Sequence, residues 1–89
     1  MRGTGAFTAI FLYRDVVDFR KSIDGLAAIV AAEMGRDVFS GALFVFCSRR
    51  RDRIKALYFD RTGYALWYKR LEEEKFAWPR KHPDGAIEL

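Results

Sequence analysis

The sequence predicts an α+β fold. A single small domain places one main helix on one face of a largely antiparallel sheet of about five strands, in the order β-α-β-β-β-β. Three observations carry this prediction. Ile23, Leu26, Ala27, Val30 and Met34 recur at helical spacing and fall on one stripe. Residues 42–47 (Ala-Leu-Phe-Val-Phe-Cys) contain no polar side chain, as a central strand buried on both faces requires. Residues 53–59 and 64–70 flank Asp60-Arg61-Thr62-Gly63, a turn sequence that folds a hairpin. The chain has 89 residues, 51% of them hydrophobic, with two Trp, four Tyr and eight Phe. That length and aromatic content suit one core in a domain near the lower size limit.

Taken in order, residues 1–6 are small and read as a frayed lead-in. Phe7–Tyr13 forms a first strand that is apolar on both alternating faces. Arg14–Asp18 is a turn, with Asp15 or Asp18 placed to cap a helical turn after it. The helix begins near Ser22 or Asp24, either of which can cap it, and Gly35 supplies the left-handed stop. Asp37–Gly41 turns the chain into the central strand. Ser48–Asp52 is a solvated loop, because its run of polar and charged side chains cannot be buried cheaply. In the hairpin, Gly63 takes positive φ. With Asp60 facing Tyr64, the side chains of Ile54, Ala56, Tyr58, Leu66 and Tyr68 meet the helix, and Lys55 lies across from Lys69. That like-charge pair is one an anion would relieve. Leu71–Glu74 is an acidic turn, Lys75–Trp78 the last strand, and Pro79 and Pro83 end regular structure. The domain thus spans residues 7–79. Residues 80–89 are a tail whose Ala86-Ile87-Glu88-Leu89 reads as the start of a truncated C-terminal segment.

Charge is distributed unevenly. Arg49–Arg70 holds eight cations and two anions, whereas the whole chain has a net charge of +4. The basic hairpin therefore accounts for all of the excess and implies an anionic partner. Arg49, Arg50, Arg51, Arg53, Lys55, Lys69 and Arg70 are candidate phosphate contacts, with Trp67 as a stacking or wedge residue. The competing reading is that edge strands carry Arg and Lys to block edge pairing, or that a basic surface meets an acidic protein.

Other chemistry is scarce. The single cysteine, Cys47, excludes an internal disulfide, reads as a buried thiol and fits the cytoplasm. One histidine, His82, sits in a tail loop, and with one cysteine it cannot assemble a structural zinc site. Asp15, Asp18 and Asp24 are close enough in sequence to suggest magnesium-dependent phosphodiester chemistry, but caps and turns explain them better. No catalytic residue, metal or cofactor is expected, and the protein reads as a non-enzyme. No apolar run approaches the roughly 20 residues of a membrane span.

Several motifs share one order and spacing: Asp18-Phe19-Arg20-Lys21-Ser22-Ile23-Asp24-Gly25-Leu26, then Phe39-Ser40-Gly41 with Leu43-Phe44-Val45-Phe46, then Arg50-Arg51-Asp52-Arg53-Ile54-Lys55. Asp60 with Gly63, Tyr68-Lys69-Arg70-Leu71-Glu72 and Phe76-Ala77-Trp78-Pro79 complete them. From Phe7 to Pro79 the chain resembles the TnpB accessory proteins of the insertion sequence 66 family, which are distinct from the RNA-guided nucleases of that name. It departs from the family pattern at Phe19, where methionine is usual, and at Glu73-Glu74, where a basic residue and a glycine are common. The family also continues into a short apolar helical segment. The resemblance implies a role in bacterial transposition beside a separate transposase, and no catalytic residues. Its motifs contain Arg20-Lys21, which join the candidate contacts, and overlap the cations chosen above by charge.

Two functions are expected on these grounds. One is a DNA-binding accessory that holds element ends through phosphates with little base specificity. The other is an adaptor or homo-oligomeric scaffold without DNA contact, docking the transposase or a second copy through Phe7, Phe11, Leu57, Phe59 and Trp67.

Overall fold

The computed structural model describes residues 7–89 and shows six elements: β1 (Ile10–Val17), α1 (Ile23–Ala32), β2 (Leu43–Ser48), β3 (Arg53–Asp60), β4 (Gly63–Arg70) and β5 (Ala86–Glu88). The lead-in expected over residues 1–6 falls outside the described residues. The five strands form one sheet in the order β4-β3-β2-β1-β5. Neighbours are antiparallel except β1 and β2, which run parallel because α1 carries the chain back between them. The α+β architecture, with one helix, five strands and the order β-α-β-β-β-β, is as the sequence predicts.

The apolar run that becomes β2 lies mid-sheet and is buried throughout. Its alternating side chains divide the core in two. Phe44 and Phe46 point to the helix side, where they pack with Phe11, Tyr13, Val17, Leu26, Val30, Met34 and Leu57. Leu43 and Val45 point to the opposite side, with Ala56 and Tyr58, and partly buried Phe7, Leu12 and Trp78 cover them. Leu26, Val30, Phe44, Phe46 and Leu57 are fully enclosed. Burial of each such side chain contributes about 1.5–3 kcal/mol. The helical stripe behaves as its spacing requires, with Leu26, Val30 and Met34 buried and Ile23 and Ala27 packed beside them. Ser22 is the N-cap through its backbone carbonyl, which accepts from the Leu26 amide at 3.0 Å. Gly35 adopts φ +63° just beyond the helix.

Four local expectations are corrected. The first strand runs Ile10–Val17 rather than Phe7–Tyr13, so Arg14–Val17 is strand and not turn. Charged Arg14 and Asp15 are tolerated because the register with β2 shifts between Leu12 and Val16. The Arg14 guanidinium is also satisfied by Asp15 and by the carbonyls of His82 and Pro83. The hairpin closes on Asp60 opposite Gly63, one residue from the expected register, and Arg61 rather than Gly63 takes positive φ, at +48°. Lys55 therefore faces Tyr68, and Lys69 faces Ile54. The slip inverts β3 alone: Leu57 meets the helix-side core and Ala56 and Tyr58 lie on the other side, whereas Leu66 and Tyr68, opposite Leu57 and Lys55, stay on the helix side as expected. Finally, Lys75–Trp78 is not a strand. The segment folds back over the second sheet face, with the Phe76 amide on the Arg51 carbonyl (2.6 Å) and Trp78 Nε1 on the Tyr13 carbonyl (2.9 Å). The fifth strand comes instead from the expected tail, as Ala86–Glu88 pairs with Phe11–Tyr13.

Candidate nucleic-acid interface

The triple-arginine loop joining β2 to β3 is organised by its small polar residues. Ser48, buried at the end of β2, donates its hydroxyl to Asp52 Oδ1 and accepts the Arg53 amide, both at 3.1 Å. The Ser48 carbonyl accepts the Arg51 amide at 2.9 Å. The following segment clamps the loop from outside through Leu71 N–H to the Asp52 carbonyl at 2.7 Å and the Phe76 contact. Burial works against the Asp52 carboxylate, but the Ser48 hydroxyl, its own backbone amide and the neighbouring Arg53 outweigh it and keep its pKa below the usual value. Arg49, Arg50 and Arg51 are exposed on this fixed frame. Arg51 sits at φ +60°, in the left-handed region, so it leaves the loop in a different direction from Arg50.

On the helix side, Arg49 and Arg50 line an open cleft of about 300 Å³ together with Arg53 and with Asp18, Phe19 and Arg20 of the β1–α1 connector. Arg20 is paired with Asp18 at 2.6 Å, its guanidinium almost wholly in solvent. The Arg20 side chain, then its backbone amide, hold the Asp18 carboxyl well below the usual aspartate range. Arg53 lies 3.5 Å from Asp52 through its buried Nε, which makes no hydrogen bond among the described residues. Across the hairpin Arg53 faces Arg70, so the sheet carries a like-charge pair, though not the expected Lys55–Lys69 one. Arg70 is partly compensated by Glu72 at 2.9 Å.

The ten sequence candidates are thus distributed over several places. Arg20, Arg49, Arg50 and Arg53 gather around one cleft, Arg70 lies beside Arg53, and Lys21 is exposed on the connector. Arg51 belongs to a second cleft on the other side of the loop. Lys69 and Trp67 alternate to the face opposite Arg70 and Tyr68. Lys55 is turned inward: its ammonium donates to the carbonyls of Phe19 (2.8 Å) and Lys21 (3.2 Å) and lies 4.8 Å from the Phe19 ring centre. Burial, then the nearby Arg53 charge, lowers its pKa.

The second cleft adds residues that sequence reasoning passed over. It has a volume of about 590 Å³ and joins Arg51 to Asp15, Trp78, Pro79, Arg80 and Lys81. The tail carries no net charge, which conceals Arg80 and Lys81, and Trp78 falls in the segment predicted as a strand. Of the candidate docking residues, Phe11 and Leu57 are core residues. Phe7 packs edge-on against Tyr58, and Phe59 packs against Phe39 and Tyr64. Trp67 remains exposed, between Leu66 and Tyr68 on β4. Asp15 and Asp18 are each held by an arginine, and among the described residues no three His, Cys, Asp or Glu side chains gather as a metal site. Cys47 is enclosed, and burial pushes its thiol pKa up to about 11. No helix among the described residues is long and apolar enough to cross a membrane.

No solved structure matches the chain. Two relatives come from Sinorhizobium fredii (strain NBRC 101917 / NGR234), both called uncharacterized proteins. The protein y4jC is 36% identical over the whole of this chain and 75% of its own length. The protein y4hO is 29% identical, again over the whole chain and 76% of its own length. The family model described as IS66 Orf2 like protein matches residues 8–89, so it takes in β5 and the second cleft as well as the basic hairpin. The chain therefore belongs to the IS66 Orf2-like family of insertion-sequence accessory proteins.

Proposed function

We propose that this protein is a DNA-binding accessory of transposition, which holds element DNA through its phosphates and assists a separate, element-encoded transposase. The observation that carries this reading is the convergence of Arg20, Arg49, Arg50 and Arg53 on one open cleft, with Arg70 beside it. Guanidinium groups on a fixed loop pair with phosphate oxygens through forked hydrogen bonds. The guanidinium of Arg53 is held in place by Asp52 at 3.5 Å, which fixes the direction in which it meets the cleft. Contacts of this kind position a duplex without reading its bases, so sequence choice belongs to the transposase. The protein is a non-enzyme in this reading, acts in the bacterial cytoplasm and needs no cofactor.

The test is equilibrium binding to a labelled end fragment of the element and to a scrambled duplex across a salt series. Both bind, with affinities that fall steeply as salt rises. Replacing Arg49, Arg50 and Arg53 by Ala lowers the slope of log K against log salt by about 2 to 3. A slope that is unchanged in this variant overturns the site.

A second reading is favoured by β4. This eight-residue strand is the outer edge of the sheet and exposes Leu66, Trp67 and Tyr68. An unpaired edge of this kind adds a strand from another chain, either the transposase or a second copy.

A further inference from the structure

We propose that the second cleft, on the sheet face opposite α1, takes an unpaired nucleotide of single-stranded DNA. The inference rests on the reading of the protein as DNA-binding and assigns a distinct DNA structure to a distinct site. The left-handed backbone at Arg51, φ +60°, splits the arginine run, so that Arg50 lines the helix-side cleft and Arg51 the other. One loop thus presents cations to two clefts on opposite sides of the sheet end.

The second cleft is the roomier, at about 590 Å³, within the size range of small-molecule sites. Trp78 and Pro79 are its apolar lining residues. The Trp78 indole is fixed by the bond from Nε1 to the Tyr13 carbonyl and by packing against the second core cluster, and Trp78 lines the cleft beside Pro79. Arg51, Arg80 and Lys81 line the same cleft, and all three are exposed. An anchored aromatic residue sharing a cleft with three cations suits stacking of a base and contact with the phosphates on either side of it. A duplex has its bases paired and stacked on each other and offers no free face to an indole. An unpaired strand does.

Asp15 gives the cleft a direction. Among the described residues it is the one acidic residue lining the cleft, and its carboxylate is anchored by Arg14 at 3.1 Å. An acceptor there repels phosphate but suits the exocyclic amine of a base, so it defines the base end of the site. Such a cleft, next to a duplex-binding one, fits DNA whose strands part across the Ser48–Arg53 loop.

The experiment uses intrinsic fluorescence. The chain has two tryptophans, Trp67 and Trp78, so Trp67→Phe leaves Trp78 as the sole reporter. This variant is titrated with an oligothymidylate of about ten nucleotides and with a blunt duplex at matched ionic strength. The oligothymidylate quenches Trp78 emission and the duplex does not. In the same background, replacing the exposed Arg80 and Lys81 by Ala weakens oligothymidylate binding by about tenfold and leaves duplex affinity within about twofold. Replacing Arg49, Arg50 and Arg53 does the reverse. Duplex binding with no response of Trp78 to oligothymidylate overturns the cleft and leaves the helix-side site standing. Quenching without any duplex binding supports the cleft and removes the duplex reading. Equal loss of both ligands on replacing Arg80 and Lys81 overturns the separate site, and absence of binding to either DNA overturns both proposals.

Discussion

The ammonium of Lys55 closes the connector that leads into α1. Its two acceptors, the carbonyls of Phe19 and Lys21, are the backbone on which Asp18 and Arg20 depend for their position in the cleft. Lys55→Met keeps the stem and removes the charge, leaving both carbonyls without this donor. Loss of charge-assisted bonds of this kind costs about 1–3 kcal/mol, which in a domain of this size lowers the melting temperature by several degrees, about 4–8 °C per kcal/mol. At a temperature where the variant is folded, duplex affinity falls less than in Arg50→Ala. Thermal melts read against binding decide it: an unchanged melting temperature with lost binding would return Lys55 to the DNA surface. This role was illegible in the sequence. Lys55 stood as one of eight cations, and charge says nothing of direction. Its partners are backbone carbonyls more than thirty residues away, which no residue type advertises. Arg49, Arg50 and Arg51 were legible because three consecutive guanidinium groups can only be solvated, and they are exposed as that requires.

Each element was legible to the degree that its pattern used one period. α1 has a single apolar stripe, and β2 has no polar residue before its terminal Ser48, so both were found with little error. The hairpin was found but slipped by one residue. Both faces of β3 carry apolar side chains, so alternation alone does not choose between them. The choice is made by a two-residue loop in which Arg61, not the nearby glycine, adopts the left-handed conformation. β5 was missed because three residues carry too little pattern, and its pairing with β1 is fixed from outside by Arg14 gripping the His82 and Pro83 carbonyls. Between β1 and α1, the connector is a polar element with its own pH dependence. Asp18 accepts the Arg20 side chain and the Arg20 amide, and the folded protein holds it ionised more strongly than the unfolded chain does. Its contribution is therefore complete above the ordinary aspartate value of 3.8 and fades as pH falls towards the lower folded value. Asp18→Asn removes that share of the acid sensitivity. Urea unfolding from about pH 6 down to about pH 3 should give a shallower decline for the variant than for the parent. Parallel declines would show that the Asp18–Arg20 contact is too well solvated to matter.

At the scale of the whole molecule the two sheet edges differ. One is β5, three residues long; the other is β4, eight residues long and exposed over Leu66, Trp67 and Tyr68. Natural sheets protect such an edge with charge, and here Lys69 and Arg70 guard only its end. Antiparallel pairing of β4 with β4 of a second copy, centred on Trp67, sets Lys69 opposite Ala65 and Arg70 opposite Tyr64, so the cations avoid one another. It also joins two sheets with both helices on one face, and directs the two arginine clefts to opposite ends of the joined strands, where each can hold a separate stretch of DNA. The expected outcome is a concentration-dependent dimer by light scattering. It survives high salt, because its contacts are backbone hydrogen bonds and aromatic packing rather than ion pairs. Trp67→Lys places two cations face to face at the centre of the pairing and gives a monomer with unchanged far-ultraviolet circular dichroism, since Trp67 contributes to neither core cluster. A parent protein that stays monomeric at high concentration excludes self-pairing. Co-purification with the transposase that survives high salt and is lost in Trp67→Lys would then assign the edge to a strand of that partner.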